Sequence, residues 1–379
     1  MMAGTMYPAA DADAPEGLGW LRALLEPRQV QRWSVPAWER VVRLARRHRL
    51  LARLAWAVHD AGLESQLPLE VSNHLAGARA VSQARTRAMT WLVERLPAML
   101  DHPAYPLVLL KGAAYVAQGL PIAKGRLPSD LDILVPPSAL EHAQFFLRAA
   151  GWQEPALDDH DRRYYFEWSH ELPPLRHRAF DVELDVHHHM LAPRRGSMPD
   201  TDLLLAQSRP VGKAPWRVLS PVDQLLHCAA HLFHDSAPRD RLRDVVDLDG
   251  LFREVARTPS VWPQLDERAV QFDLIEPLYL ATHFCRRLLD TPVDADLVER
   301  VVSRQERSAS TPVVRALMQR ALTPAEPGLA DGPAKGIAEF VLLARYHWHR
   351  LPPRLLLRHA WHKWRRGTAT ASPADTNAP

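Results

Sequence analysis

Ser129-Asp130-Leu131-Asp132-Ile133-Leu134-Val135 is the stretch that decides how this chain folds. Successive side chains of a strand point to opposite faces, so read as a strand it sets Asp130 and Asp132 on one face and Leu131 and Ile133 on the other. Asp181-Val182-Glu183-Leu184-Asp185-Val186-His187 repeats the pattern, with Glu183 and Asp185 sharing a face. Carboxylates projecting from adjacent strands above an apolar underside repel one another, and such a cluster implies a divalent cation. Upstream, Leu107-Val108-Leu109-Leu110 is a short, fully apolar run of the kind that forms a buried strand, and Lys111-Gly112 closes it with a turn.

Three pieces in this order, Leu109-Leu110-Lys111-Gly112-Ala113-Ala114, Arg126-Leu127-Pro128-Ser129-Asp130-Leu131-Asp132-Ile133-Leu134-Val135 and Leu184-Asp185-Val186-His187, carry a family resemblance. The chain resembles the nucleotidyltransferases of the DNA polymerase β superfamily, and more closely a bacterial family of uncharacterised nucleotidyltransferases. Residues 219–231, with Ser220-Pro221-Val222-Asp223-Gln224, and Arg243-Asp244-Val245-Val246-Asp247-Leu248 look like that family's helical portion, so the resemblance covers residues 36–255. It implies an α+β fold in which a small mixed sheet of the polymerase β type is flanked by N-terminal and C-terminal helical regions.

The resemblance also implies the chemistry: transfer of a nucleoside monophosphate, AMP from ATP, to a hydroxyl of a small molecule or a protein. Two Mg²⁺ ions about 3.5–4 Å apart bridge nucleophile and phosphoryl oxygens in such reactions. Asp130 and Asp132 would hold both ions, and Asp185 would complete the acceptor-side site. Glu183 competes for that third place from the same face, but Asp185 carries the family's spacing to the following His187. Lys111 and Gly112 would admit the triphosphate, because exposed amides and a lysine charge suit phosphate oxygens. Arg126 and Ser129 are candidate phosphate contacts. The superfamily often has Gly-Gly or Gly-Ser at the turn, whereas here Ala113 follows Gly112, which removes a hydroxyl ligand. A binding module that keeps the fold without turnover is therefore a second reading, favoured by Ala113 and opposed by the three aspartates.

Hydrophobic residues at 47% and charged residues at 24% of 379 are ordinary globular values. The two cysteines, Cys228 and Cys285, lie in apolar helical patterns, which argues against a disulfide framework or a cysteine zinc site. No apolar run approaches the roughly 20 residues of a spanning helix, and residues 1–17 lack a basic segment followed by an apolar core. A cytoplasmic location is the expectation. Residues 345–366 hold seven Lys or Arg and no Asp or Glu, so without them the net charge falls from +3 to −4. That weakens a reading of the whole protein as a nucleic-acid binder, for which a basic face on the main domain is expected.

Helical spacing of apolar residues predicts one helix over 38–61 stopped by Gly62, and a second over 68–100 bending at Pro97. Residues 139–150 read as a helix capped by Ser138, residues 163–169 and 180–188 as strands, and 173–178 as the loop between them. After Pro193 the pattern is helical, over 221–233, 241–255, 272–289, 295–304 and 337–349, with a Pro- and Gly-rich loop at 324–336. The expected organisation is a disordered start (1–16), a helical region (17–104), the catalytic core (105–192), a second helical region (193–344), a basic aromatic segment (345–366) and a disordered tail (367–379).

His227, His231 and His234 fall on one helix face, and His234-Asp235 matches the doublet of metal-dependent phosphohydrolases, an alternative enzyme reading. The competing reading has these histidines pack and hydrogen-bond beside the sheet. In His187-His188-His189, alternation turns the middle ring away from its neighbours, which opposes a single three-histidine site. The segment with Trp348, Trp361 and Trp364 among its arginines could dock on the protein's own acidic body or contact a membrane or nucleic acid.

Overall fold

The computed structural model describes residues 17–156, 169–192, 199–234, 240–305, 311–323 and 331–350. Two short 3₁₀ turns, Gly19–Leu24 and Pro27–Arg32, lead into helix α1 (Val35–Arg47), which Ser34 caps by accepting from the Ala37 amide at 3.3 Å. The single helix expected over 38–61 is two. Arg49 takes φ 56°, the Leu50 amide reaches back to the Ala45 carbonyl at 2.7 Å, and α2 (Leu51–Asp60) starts after this break. Leu50, at the break, is fully buried in the core.

Helix α3 (Leu69–Met99) runs through Pro97 nearly to its end. A proline cannot donate to the carbonyl four residues back, here that of Val93. The Trp216 indole donates to that oxygen at 3.0 Å, so the orphaned acceptor is satisfied from the neighbouring strand.

The sheet is mixed and seven-stranded, in the order β3-β4-β5-β2-β1-β7-β6. Its members are β1 (Leu107–Leu109), β2 (Asp130–Leu134), β3 (Trp152–Gln153), β4 (Leu175–His177), β5 (Phe180–His187), β6 (Arg209–Pro210) and β7 (Trp216–Val218). Helix α4 (Lys111–Ala117) follows β1, and α5 (Leu140–Ala149) follows β2. β1 lies antiparallel to β2 and parallel to β7, while β2 and β5 run parallel. The expected alternation holds: Leu131, Ile133, Leu184 and Val186 are fully buried beneath the sheet, opposite to the acidic face.

Two expectations about the sheet change. The stretch 173–178, expected as a loop, contains β4, and the sheet gains β6 and β7 from beyond Pro193, where only helices were expected. These strands are two or three residues long, too short for period-2 patterning to show. The strand expected over 163–169 lies almost wholly outside the described residues.

The helical region comprises α6 (Thr201–Gln207), α7 (Pro221–Phe233), α8 (Leu242–Val255), α9 (Val261–Gln271), α10 (Ile275–Leu289), α11 (Ala295–Gln305), α12 (Thr311–Leu322) and α13 (Pro333–Arg350). Helices α6, α9 and α12 were not anticipated. Cys228 and Cys285 are free and buried. No helix among the described residues is long and apolar enough to cross a membrane. Arg345, the first residue of the basic segment, pairs with Glu276 of α10, while Trp348 is exposed. Trp361 and Trp364 lie outside the described residues.

Candidate functional site

β2 and β5 pair in parallel with Asp132 opposite Asp185 and Asp130 opposite Glu183. This register brings one oxygen each of Asp130, Asp132 and Asp185 within 4.8 Å of one another. Glu183 shares the face but not the cluster. Its Oε1 accepts from Arg176 Nε at 2.6 Å, at a partly exposed position on the β4 side. Of the two carboxylates competing for the third place, the geometry groups Asp185 with the Asp-x-Asp pair.

Asp132 is 2% exposed and is held from two sides. Lys111 Nζ donates to its Oδ1 at 2.7 Å, and His187 Nε2 donates to the same oxygen at 3.2 Å. Burial alone would raise its pKa, but the Lys111 charge and the His187 hydrogen bond prevail and hold the carboxyl well below its ordinary range. For Asp185 the Lys111 charge is outweighed. Burial first, then the negative charges of Asp132, Glu171 and Asp130, push it up to about 8. Its Oδ1 is buried and has no hydrogen-bond partner. An acceptor oxygen left orphaned beside two other carboxylates fits a bound cation, which would supply the missing charge and reverse the shift. The residues present therefore suit a divalent ion with oxygen ligands.

Lys111 and Gly112 occupy the predicted turn, with Lys111 at φ 44° where β1 passes into α4. Lys111 reaches the site through Asp132. Gly112 is explained by a close approach: a Cβ there would lie 1.9 Å from Arg126 Nη1 and 2.9 Å from Arg126 Cζ. Arg126 is itself buried and donates through Nε to Asp247 Oδ2 at 3.0 Å, and Arg53 binds the other Asp247 oxygen. The guanidinium expected at a phosphate is thus engaged beneath the glycine turn. Ser129 is exposed, with Oγ 3.3 Å from Asp130 Oδ1. Ala113 is 2% exposed, its methyl part of the core.

The histidine face of α7 does something else. Among the described residues, His227, His231 and His234 do not form a group of candidate ligands, and Asp235 lies outside them. His234 Nε2 donates to Glu276 at 3.2 Å and ties the end of α7 to α10. The reading missed Asp247 and Arg53, although Asp247 sits in a quoted motif, because a buried ion pair between residues nearly two hundred apart leaves no periodic trace. It also missed His170 and Glu171, which an isolated antiparallel bridge between Glu171 and His187 brings to the acidic face.

A mixed-sheet α+β protein with a carboxylate triad that could hold a metal ion, on two adjacent parallel strands, is the class that fold and site define. The family model described as uncharacterised nucleotidyltransferase matches residues 34–290, more than half of the chain, and the protein belongs to that family. No curated protein and no solved structure matches the chain.

Proposed function

We propose that the protein transfers a nucleoside monophosphate, AMP from ATP, to a hydroxyl of a small-molecule or protein acceptor, on a sheet of the polymerase β type. The observation that carries this reading is the convergence of Asp130, Asp132 and Asp185 with the Asp185 oxygen unpartnered. Two Mg²⁺ ions held by these three carboxylates would neutralise the triphosphate and lower the charge cost at the acceptor oxygen.

Asp132, fixed by Lys111 and His187, is the rigid member of the site. Asp130, on the partly exposed end of β2, faces the incoming phosphates. Asp185 orients the acceptor hydroxyl and draws its proton away as that oxygen attacks the α-phosphorus and pyrophosphate departs. Lys111, besides holding Asp132, lends positive charge to the phosphate side, and Gly112 lets the turn lie flat on Arg126. Ser129, exposed beside Asp130, is placed to donate to a phosphate oxygen. Arg126 acts from beneath, as the support of the turn.

Calorimetry of the full-length protein with ATP tests the reading. Binding is expected with Mg²⁺ and not in EDTA, since phosphates and carboxylates are all anionic. Equal binding in EDTA overturns it.

A further inference from the structure

A second set of donors lies against the aspartate triad, and its chemistry is different. His170, Glu171 and His187 each place one ligand atom within 4.8 Å of the others. His187 is fully buried and His170 is 8% exposed. Glu171 Oε2 lies 3.3 Å from His187 Nε2 and 3.8 Å from His170 Nε2. Donor atoms around a tetrahedral zinc ion, at bond lengths of about 2.0–2.2 Å, stand roughly 3.3–3.5 Å apart. The two carboxylate-to-imidazole separations therefore match a site that needs only a small closing movement.

The backbone holds the set in place. Glu171 forms an antiparallel bridge with His187, the Leu172 amide donates to the Val186 carbonyl at 2.9 Å, and the amides of His188 and His189 both donate to the His170 carbonyl, at 2.9 and 3.2 Å. Residues directly opposite in such a pair share a face, which brings Glu171 to the side of the sheet that carries Asp132 and Asp185. Two further facts point to a ligand. Nδ1 of His170 and Nδ1 of His187 are both buried without a hydrogen-bond partner, so neither ring is committed at both nitrogens to the protein. The neighbourhood is also short of positive charge: against Asp130, Asp132, Asp185 and Glu171 stand the Lys111 ammonium and, on the His170 side, the Arg350 guanidinium.

We infer that His170, Glu171 and His187 form a transition-metal site of the zinc class, adjoining the carboxylate triad and separate from it. Two imidazoles with one carboxylate suit zinc or cobalt, whereas magnesium prefers an all-oxygen set, so the two sites sort their ions by donor type. Three protein ligands leave a fourth position open. Asp132 Oδ1, 3.2 Å from His187 Nε2, would exchange that ring's hydrogen bond for the charge of an ion bound at Nε2, so loading here would be felt at the triad's buried member.

The test is metal content. The full-length protein is stripped with chelator, dialysed against Zn²⁺ and then against metal-free buffer, and measured by plasma mass spectrometry, with Co²⁺ loading followed by visible absorption. One equivalent of zinc per chain and intense tetrahedral cobalt bands are expected. His170→Gln and Glu171→Gln, folded by circular dichroism, should each lower retained zinc at least tenfold, while Asp130→Asn and Asp185→Asn should keep it. Absence of retained zinc, or retention unchanged in both His170→Gln and Glu171→Gln, overturns the inference. Loss of zinc in Asp130→Asn or Asp185→Asn does so too, by assigning the ion to the triad. The Mg²⁺-dependent ATP binding is scored separately, so this site and the nucleotidyl-transfer reading fail independently.

Discussion

Asp132 and Asp185 stand directly opposite each other on parallel strands, yet their environments drive them apart: Asp132 is held ionised by Lys111 and His187, while Asp185 is pushed up to about 8. Two carboxylates of unequal proton affinity at one site give a bound cation a proton to displace. That displacement makes the site's metal affinity depend on pH.

Only ionised Asp185 completes the acceptor-side site, so affinity for the second Mg²⁺, the one Asp130 and Asp132 do not hold by themselves, should climb as pH rises toward about 8 and level off above it. Since one pH unit below the titration midpoint is about a tenfold loss, affinity at pH 6 should be about 100-fold weaker than at pH 9. The effect on stability has the opposite sign. Folding raises the Asp185 pKa, so the metal-free folded state binds more protons than the unfolded chain between about pH 4 and 8, and this group's contribution to stability falls as pH rises through that window. Calorimetry and thermal melts across pH 5–9 check both, and Asp185→Asn should flatten each profile.

Gly112→Ala should unsettle the turn by displacing the Arg126 guanidinium, at a cost of about 1–3 kcal/mol for an overpacked contact. Asp247→Asn attacks the same support from the other side. It leaves two buried guanidinium groups, Arg53 and Arg126, on a neutral partner, and breaking such a buried pair costs about 3–5 kcal/mol. Denaturant unfolding measures both. A neutral outcome for Gly112→Ala would remove the close approach as the reason for glycine.

The acidic face was legible because strand alternation has period two and β2 and β5 are long enough to show it, from Asp130 to Leu134 and from Phe180 to His187. The helix over Pro221–Phe233 was legible to the residue, since Ser220 caps it and a proline opens it. The break at Arg49 was not, because positive φ at arginine leaves no compositional mark. The partners of Arg126 and the meeting of Glu171 with His187 were invisible for a different reason: they are tertiary facts, set by how α8 and the chain around residue 170 return to the sheet.

His234→Ala separates the two metal-enzyme readings. Its ring is spent on Glu276, which also takes Arg345; burial opposes ionisation there, but those two partners hold Glu276 low, at about 2. Losing the hydrogen bond should cost about 1–3 kcal/mol of stability and leave Mg²⁺-dependent ATP binding intact. Hydrolysis of a phosphomonoester that survives Asp130→Asn and disappears in His234→Ala would instead favour the phosphohydrolase.

The third carboxylate gives the sharpest division of labour. Asp130 and Asp132, on one strand, should suffice for the ion that accompanies the triphosphate, whereas the residue across from Asp132 is needed when an acceptor oxygen must be activated. Asp185→Asn should therefore keep Mg·ATP affinity within a few-fold at pH 8 but lower transfer by about 10²-fold or more, the scale of a missing acid–base group. Glu183→Gln removes a partner of Arg176 at a partly exposed position, a pair of the kind that contributes about 1 kcal/mol or less, and transfer should continue. Asp130→Asn should weaken both binding and transfer. An inactive Glu183→Gln beside an active Asp185→Asn would shift the third ligand by two residues and require β5 to slide against β2, which the pairing of Asp132 with Asp185 opposes. Full transfer by both variants would remove the catalytic reading itself.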